Sequence, residues 1–209
     1  MFENKYIINF KKQLLSFQQW DEIQKEARRR DDTYKFGLNY RCQVSHYDFA
    51  VELRKHIPSL SDVFFILNTN RLAREFPPHV QGTPGSGGAA SINWPILNCY
   101  EHSPSTWYTC ATEVRFKNDL YKDSYLVDNV EDLVPIHTEA MLTSTGMPCL
   151  FRSDVIHKGF NNMPKGETRT IIKWEMSETS WEESCTVLHD LGYIDADERY
   201  SHDNRQNWT

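Results

Sequence analysis

PCLFRSDVIHKGFNNMPKGETRTIIKWEM, residues 148–176, is the stretch whose reading decides the fold. It holds two apolar, β-prone runs separated by the turn-rich residues Asn161, Asn162, Met163, Pro164, Lys165 and Gly166, a pattern that predicts two antiparallel strands. His157 follows the first run and Arg169 heads the second, so such strands would bring both into one pocket. A neutral imidazole binds a metal through a ring nitrogen, and a guanidinium offers a planar fork of donors that matches a carboxylate. The pair therefore suits a metal and an acidic cosubstrate held side by side.

Working outward, β character extends over residues 63–176. The apolar run Val63, Phe64, Phe65, Ile66, Leu67 reads as a buried strand, residues 89–97 as a second, and residues 106–109 as a third. A polar stretch up to residue 132 is expected to hold loops and one weak element, and residues 134–144 are expected to return toward the core. Before this region, Phe10, Leu14 and Phe17 recur at partly helical spacing, Asp21 is a suitable N-cap, and residues 47–56 form a second helix stopped by Pro58. After it, Ser180, Trp181, Glu182 and Glu183 form a capping box that opens a short helix running to about residue 191, where Gly192 ends it. The order of helices, then strands, then a helical and polar tail predicts a mainly β fold with flanking helices (α+β), a double-stranded β-helix or jelly roll of cupin-like type. The expectation is a single domain over residues 1–209, with a helical lead-in (1–60), a jelly-roll core (63–176) and a tail (177–209).

Composition bounds the function. The chain has 209 residues, 39% of them apolar and 13% aromatic, which is globular composition. The net charge of -6 argues against nonspecific binding to nucleic acid backbones, though not against a local basic patch. No apolar window approaches the length of a membrane span or a signal-peptide core. Five cysteines with no CxxC spacing read as reduced thiols, which predicts a cytoplasmic protein.

Other features are weaker. The glycine-rich residues 83–88 lack the lysine and Ser/Thr of a phosphate-binding loop and run into a strand. Arg28, Arg29 and Arg30 before Asp31 and Asp32 read as a solvated helix end. His137, Thr138 and Glu139 form a second H-x-E, but its partners His189 and Arg199 fall in a helix and a polar tail, where a rigid ligand set does not belong. Trp94, Trp107, Tyr108 and Trp174 read as core aromatics. Ser91 and Asn93, two residues apart on a strand, share one face.

The ordered pieces His79-Val80-Gln81, Asn93-Trp94-Pro95-Ile96-Leu97-Asn98-Cys99, Trp107-Tyr108, Val155 through Asn161 (VIHKGFN), and Arg169-Thr170-Ile171 carry a resemblance. Over residues 63–176 the chain resembles the non-haem iron(II), 2-oxoglutarate-dependent oxygenases, and is most similar to their aspartyl/asparaginyl β-hydroxylase-like branch. The resemblance implies a hydroxylase in which His79 and His157 ligate Fe(II) and Arg169 holds the far carboxylate of 2-oxoglutarate. It places Asn93, Ser91 and Trp107 around the cosubstrate, needs no catalytic residue apart from the metal site, and takes dioxygen with a small-molecule or peptidyl substrate. Gln81 stands where the family has a carboxylate ligand, and an amide carbonyl is a poorer ligand for a hard cation. Three outcomes follow: activity with water in the third place, entry of a halide there, or a degenerate site on a noncatalytic jelly-roll binding protein. The glycine-rich loop also replaces an arginine that the branch often has after its first histidine. A cupin-type enzyme with a different metal set is a further candidate.

Overall fold

The computed structural model describes residues 5–31, 39–43, 47–58, 60, 63–70, 77–81, 89–121, 124–159, 167–176 and 179–195. The glycine-rich loop 83–88, the turn 160–166 with Asn161, Asp32, and the tail with Arg199 lie outside the described residues. In chain order the elements are β1 (Ile7–Asn9), α1 (Phe17–Asp31), β2 (Asn39–Gln43), α2 (Asp48–His56), β3 (Val63–Asn70), β4 (His79–Gln81), β5 (Ala90–Leu97) and β6 (Ser105–Cys110). There follow β7 (Phe116–Tyr121), β8 (Ser124–Val127), a single 3-10 turn (Val130–Asp132), β9 (Leu133–Glu139), β10 (Cys149–Arg152), β11 (His157–Gly159), β12 (Thr168–Met176) and α3 (Trp181–Asp190). The strands form two six-stranded sheets, β1-β10-β5-β12-β3-β2 and β7-β8-β4-β11-β6-β9, antiparallel throughout. This is the mainly β, double-sheet jelly-roll class that the sequence predicts.

Alternation along β5 and β12 decides which side chains meet the helices and which meet the other sheet. Ile92, Trp94 and Ile96 of β5, with Ile172, Trp174 and Met176 of β12, join Trp20 and Ile23 of α1, Leu53 of α2, and Trp181, Cys185 and Leu188 of α3 in one apolar cluster. Each such large side chain contributes roughly 1.5–3 kcal/mol when fully buried. The residues between them, Ser91, Asn93 and Pro95 on β5 and Arg169, Ile171 and Lys173 on β12, take the opposite face. Ile171 packs there with Trp107, Cys149 and Phe151. Pro95 is tolerated inside β5 because β10 has already ended at the Cys149↔Asn93 pair, and because the register with β12 shifts at Thr170/Ile171 opposite it.

Several expectations are corrected by the pairing. The lead-in contains two strands, β1 and β2, which close the two edges of the first sheet. Helix α1 begins four residues before Asp21, where Ser16 and Gln19 cap each other: Gln19 N donates to Ser16 Oγ (3.2 Å) and Ser16 N to Gln19 Oε1 (2.8 Å). The polar stretch before residue 132 carries the paired strands β7 and β8, not one weak element. Of residues 134–144, residues 134–136 lie exposed on the edge strand β9, and the expected return to the core is made at Met141, which packs with Trp107, Cys149 and Phe151. The strands of the opening stretch are not a hairpin: β10 and β12 flank β5 in the first sheet, and His157 lies on β11 in the second. Among the described residues no helix is long and apolar enough to cross a membrane.

Candidate metal and cosubstrate site

The site is built from β4 and β11 of one sheet and from β5 and β12 of the other. His79 and His157 are direct cross-strand partners, so their side chains leave the second sheet on the same face. Their ring centroids lie 4.4 Å apart at an interplanar angle of 53°. Each ring is fixed by the carbonyl two residues earlier: His79 Nδ1 donates to Pro77 O at 3.0 Å and His157 Nδ1 to Val155 O at 2.9 Å. A carbonyl only accepts, so the proton sits on Nδ1 and the lone pair of each neutral ring is at Nε2. Burial, opposed by the Pro77 bond and reinforced by the Lys173 charge, lowers the His79 pKa to about 4. Burial first, then His79 and Lys173, hold His157 well below the ordinary histidine value. Two neutral imidazoles, oriented by backbone and side by side, fit two positions of a divalent metal.

Arg169 projects from β12 across the space between the sheets. A Cβ at Gly159 would lie 3.7 Å from Arg169 Nη1, so the guanidinium rests on the strand beside His157, and any side chain longer than alanine at Gly159 would displace it. Arg169 is 5% exposed, and its Nε and Nη2 have no hydrogen-bond partner among the described residues. Unsatisfied donors on a buried charged group are costly and call for an anion. Two nitrogens on one guanidinium edge fit the two oxygens of a carboxylate.

The third side of the histidine pair is cationic. Gln81 Oε1 accepts a hydrogen bond from Lys173 Nζ, and Lys173 also pairs with Glu175 Oε1 at 2.7 Å. In this arrangement the Gln81 carbonyl is engaged by the lysine. Among the described residues no three His, Cys, Asp or Glu side chains gather to hold a metal, and the side chains here that could donate to one are the two imidazoles. Asn93 stands opposite Lys173 and Ser91 opposite Glu175 in the β5–β12 register. Ser91 Oγ donates to Asn93 Oδ1 at 3.1 Å, which leaves the Asn93 N–H2 group as the end offered to a ligand.

Trp107 lies next to His157 in register, and His137 next to Trp107, so one row of rings runs His79, His157, Trp107, His137 across the sheet. The Trp107 indole N–H is taken by Arg152 O at 2.9 Å. His137 Nε2 pairs with Glu139 Oε2 at 2.8 Å on the edge strand, and its ring stacks on Tyr6 at 5.0 Å. His189 sits on α3 with its side chain 47% exposed, so the rival set His137, Glu139, His189 is not assembled. Sequence reasoning missed Lys173, Glu175 and Gly159. The signal was there: Lys173 and Glu175 continue the alternation from Arg169, and Gly159 is two residues past His157 on the same face.

No protein-family model and no curated protein sequence matches the chain. Three of the crystal structures that are similar to it illustrate the likeness. The non-haem α-ketoglutarate-dependent epimerase SnoN from nogalamycin biosynthesis is 12% identical, with 84% of this chain and 80% of that chain covered and a TM-score of 0.49. A Pseudomonas putida prolyl-4-hydroxylase is 9% identical, with coverage of 84% and 95% and a TM-score of 0.46. AviO1 from Streptomyces viridochromogenes is 11% identical, with coverage of 84% and 92% and a TM-score of 0.48.

Proposed function

We propose that this chain is an iron(II)- and 2-oxoglutarate-dependent oxygenase acting as a hydroxylase, with two protein ligands to the metal. The observation that carries the reading is the juxtaposition of two neutral, Nε2-presenting histidines with a buried arginine whose Nε and Nη2 have no partner among the described residues. Within the family, a two-histidine donor set favours the aspartyl/asparaginyl β-hydroxylase-like branch. The substrate is a small molecule or a peptidyl side chain, and free thiols at Cys99, Cys110, Cys149 and Cys185 suit a cytoplasmic setting.

In this reading His79 and His157 would hold the metal through Nε2, while each Nδ1–H donates to Pro77 O or Val155 O and so fixes its ring. Arg169 takes the far carboxylate of 2-oxoglutarate through Nε and Nη2 and fixes the length direction of the cosubstrate. Ile171, Trp107 and Phe151 exclude water from that end. Iron held there would supply the redox chemistry with dioxygen that couples oxidative decarboxylation of 2-oxoglutarate to hydroxylation of a substrate carbon. Gln81 is a hydrogen-bonding neighbour whose carbonyl is held by Lys173, so it would not serve as a metal ligand in this arrangement.

The test is oxygen-dependent conversion of 2-oxoglutarate to succinate by iron-reconstituted protein. Wild type is expected to turn over slowly without substrate. His157→Ala and His79→Ala are expected to be at background, and equal succinate formation by His157→Ala refutes the assignment.

A further inference from the structure

The two strands that carry the histidines run antiparallel, with His79 opposite His157. Two residues on from His157 is Gly159, and two residues on from His79 is Gln81, so these positions lie on opposite sides of the pair, each roughly 7 Å away along the strands. Arg169 reaches the Gly159 side and Lys173 reaches the Gln81 side, both from β12. The histidine pair therefore sits between two cations. Resting on the oxygenase reading above, the Arg169 side belongs to the cosubstrate, and the Lys173 side is left for the primary substrate.

We infer that Lys173, with the N–H2 group of Asn93 opposite it, forms an oxyanion-binding end that receives a carboxylate or phosphate group of the primary substrate. Burying an ammonium is costly and calls for a charge partner. Its ion-pair partner Glu175 has a side chain 42% exposed while that of Lys173 is 7% exposed, so this ion pair runs from solvent into the interior. An acidic substrate group replaces the Glu175 carboxylate on Lys173, an exchange of one anion for another that leaves the buried charge balanced. Gln81, its carbonyl held by the same ammonium, offers its own amide N–H groups beside it. The end is lined by donors, so an oxyanion can exchange for Glu175 there, whereas a cationic group would meet like charge.

The test uses the full chain in EDTA, with Arg169→Met to silence the cosubstrate end, titrated with acetate and with methylphosphonate. Binding is read from thermal shift and from the nitrogen-15 resonance of the Lys173 ammonium. A saturable response is expected, weakened at least about tenfold by adding Lys173→Met and retained by Lys173→Arg. A stronger response to acetate assigns a carboxylate substrate, and a stronger response to methylphosphonate a phosphate. No saturable response in Arg169→Met, or an equal response after Lys173→Met is added, overturns the proposal. Because no metal is present, this result is independent of iron binding: loss of turnover with the acetate response intact removes the oxygenase reading alone, and the reverse removes the substrate end alone.

Discussion

Replacing Arg169 with methionine is expected to make the ligand-free protein more stable while destroying its affinity for 2-oxoglutarate. Arg169 is 5% exposed and two of its guanidinium nitrogens have no partner among the described residues. A buried donor left unsatisfied costs about 1–3 kcal/mol, more on a charged group. Methionine is of similar length, carries no donor, and would pack against Ile171 and Cys149. Allowing for imperfect packing of the new side chain, the net gain is about 2 kcal/mol, which for a chain of this size is a rise of roughly 4–8 °C in Tm. The same change removes a charge-assisted, two-pronged contact to the cosubstrate, worth about 3 kcal/mol or roughly a hundredfold in Kd. Urea denaturation of the chelated protein measures the first quantity, and calorimetric titration of 2-oxoglutarate with Mn(II) in place of iron measures the second. A variant that is less stable than wild type and still binds 2-oxoglutarate would refute the reasoning, since Arg169 would then be a satisfied structural residue.

Three further predictions follow from the same geometry. In the unfolded chain a histidine takes up its proton near pH 6.5, whereas His79 in the folded chain resists until about 4. Between those values the unfolded state binds more protons, so stability of the metal-free protein falls as pH drops from about 6.5 toward 4, by about 3 kcal/mol from His79 alone. Urea midpoints at pH 7 and pH 5 should show this slope in wild type and a shallower one in His79→Gln. Burial pushes the Cys185 thiol up to about 12 and raises Cys149 as well, with the Glu139 charge adding to burial at Cys149, so mass spectrometry after alkylation at pH 8 should find Cys110 labelled before the buried Cys99, Cys149 and Cys185. Helix α3 ends at Gly192 with φ +71°, where Gly192 N donates to His189 O and Tyr193 N to Leu188 O. A methyl there meets nothing within 4 Å, so Gly192→Ala should cost about 1 kcal/mol through the backbone alone, measured by thermal denaturation.

What the sequence revealed tracks how local each signal is. The α3 capping box was legible because its partners, Ser180 and Glu183, are three residues apart, and both of its hydrogen bonds are present. The jelly-roll class followed from the density of short β-prone runs, and the inner face of β5 from the alternation of Ser91 and Asn93 with Ile92 and Trp94. Strands β1 and β2 were hidden because edge strands of three and five residues carry too few positions to show a period. The route by which His157 and Arg169 approach was misread for a related reason: a turn-rich segment between two runs looks like a hairpin, and only long-range pairing shows β5 between β10 and β12. The Lys173 contact to Gln81 spans 92 positions and crosses from one sheet to the other, which no local pattern encodes.

The central claim is that His79, His157 and Arg169 together hold iron(II) and 2-oxoglutarate. Anaerobic titration of the wild-type chain with both tests it most directly. The account predicts a weak visible metal-to-ligand charge-transfer band that saturates with 2-oxoglutarate, is absent in His157→Ala, and needs far more 2-oxoglutarate in Arg169→Met. No band in wild type, together with no thermal shift on adding iron and 2-oxoglutarate, would contradict it.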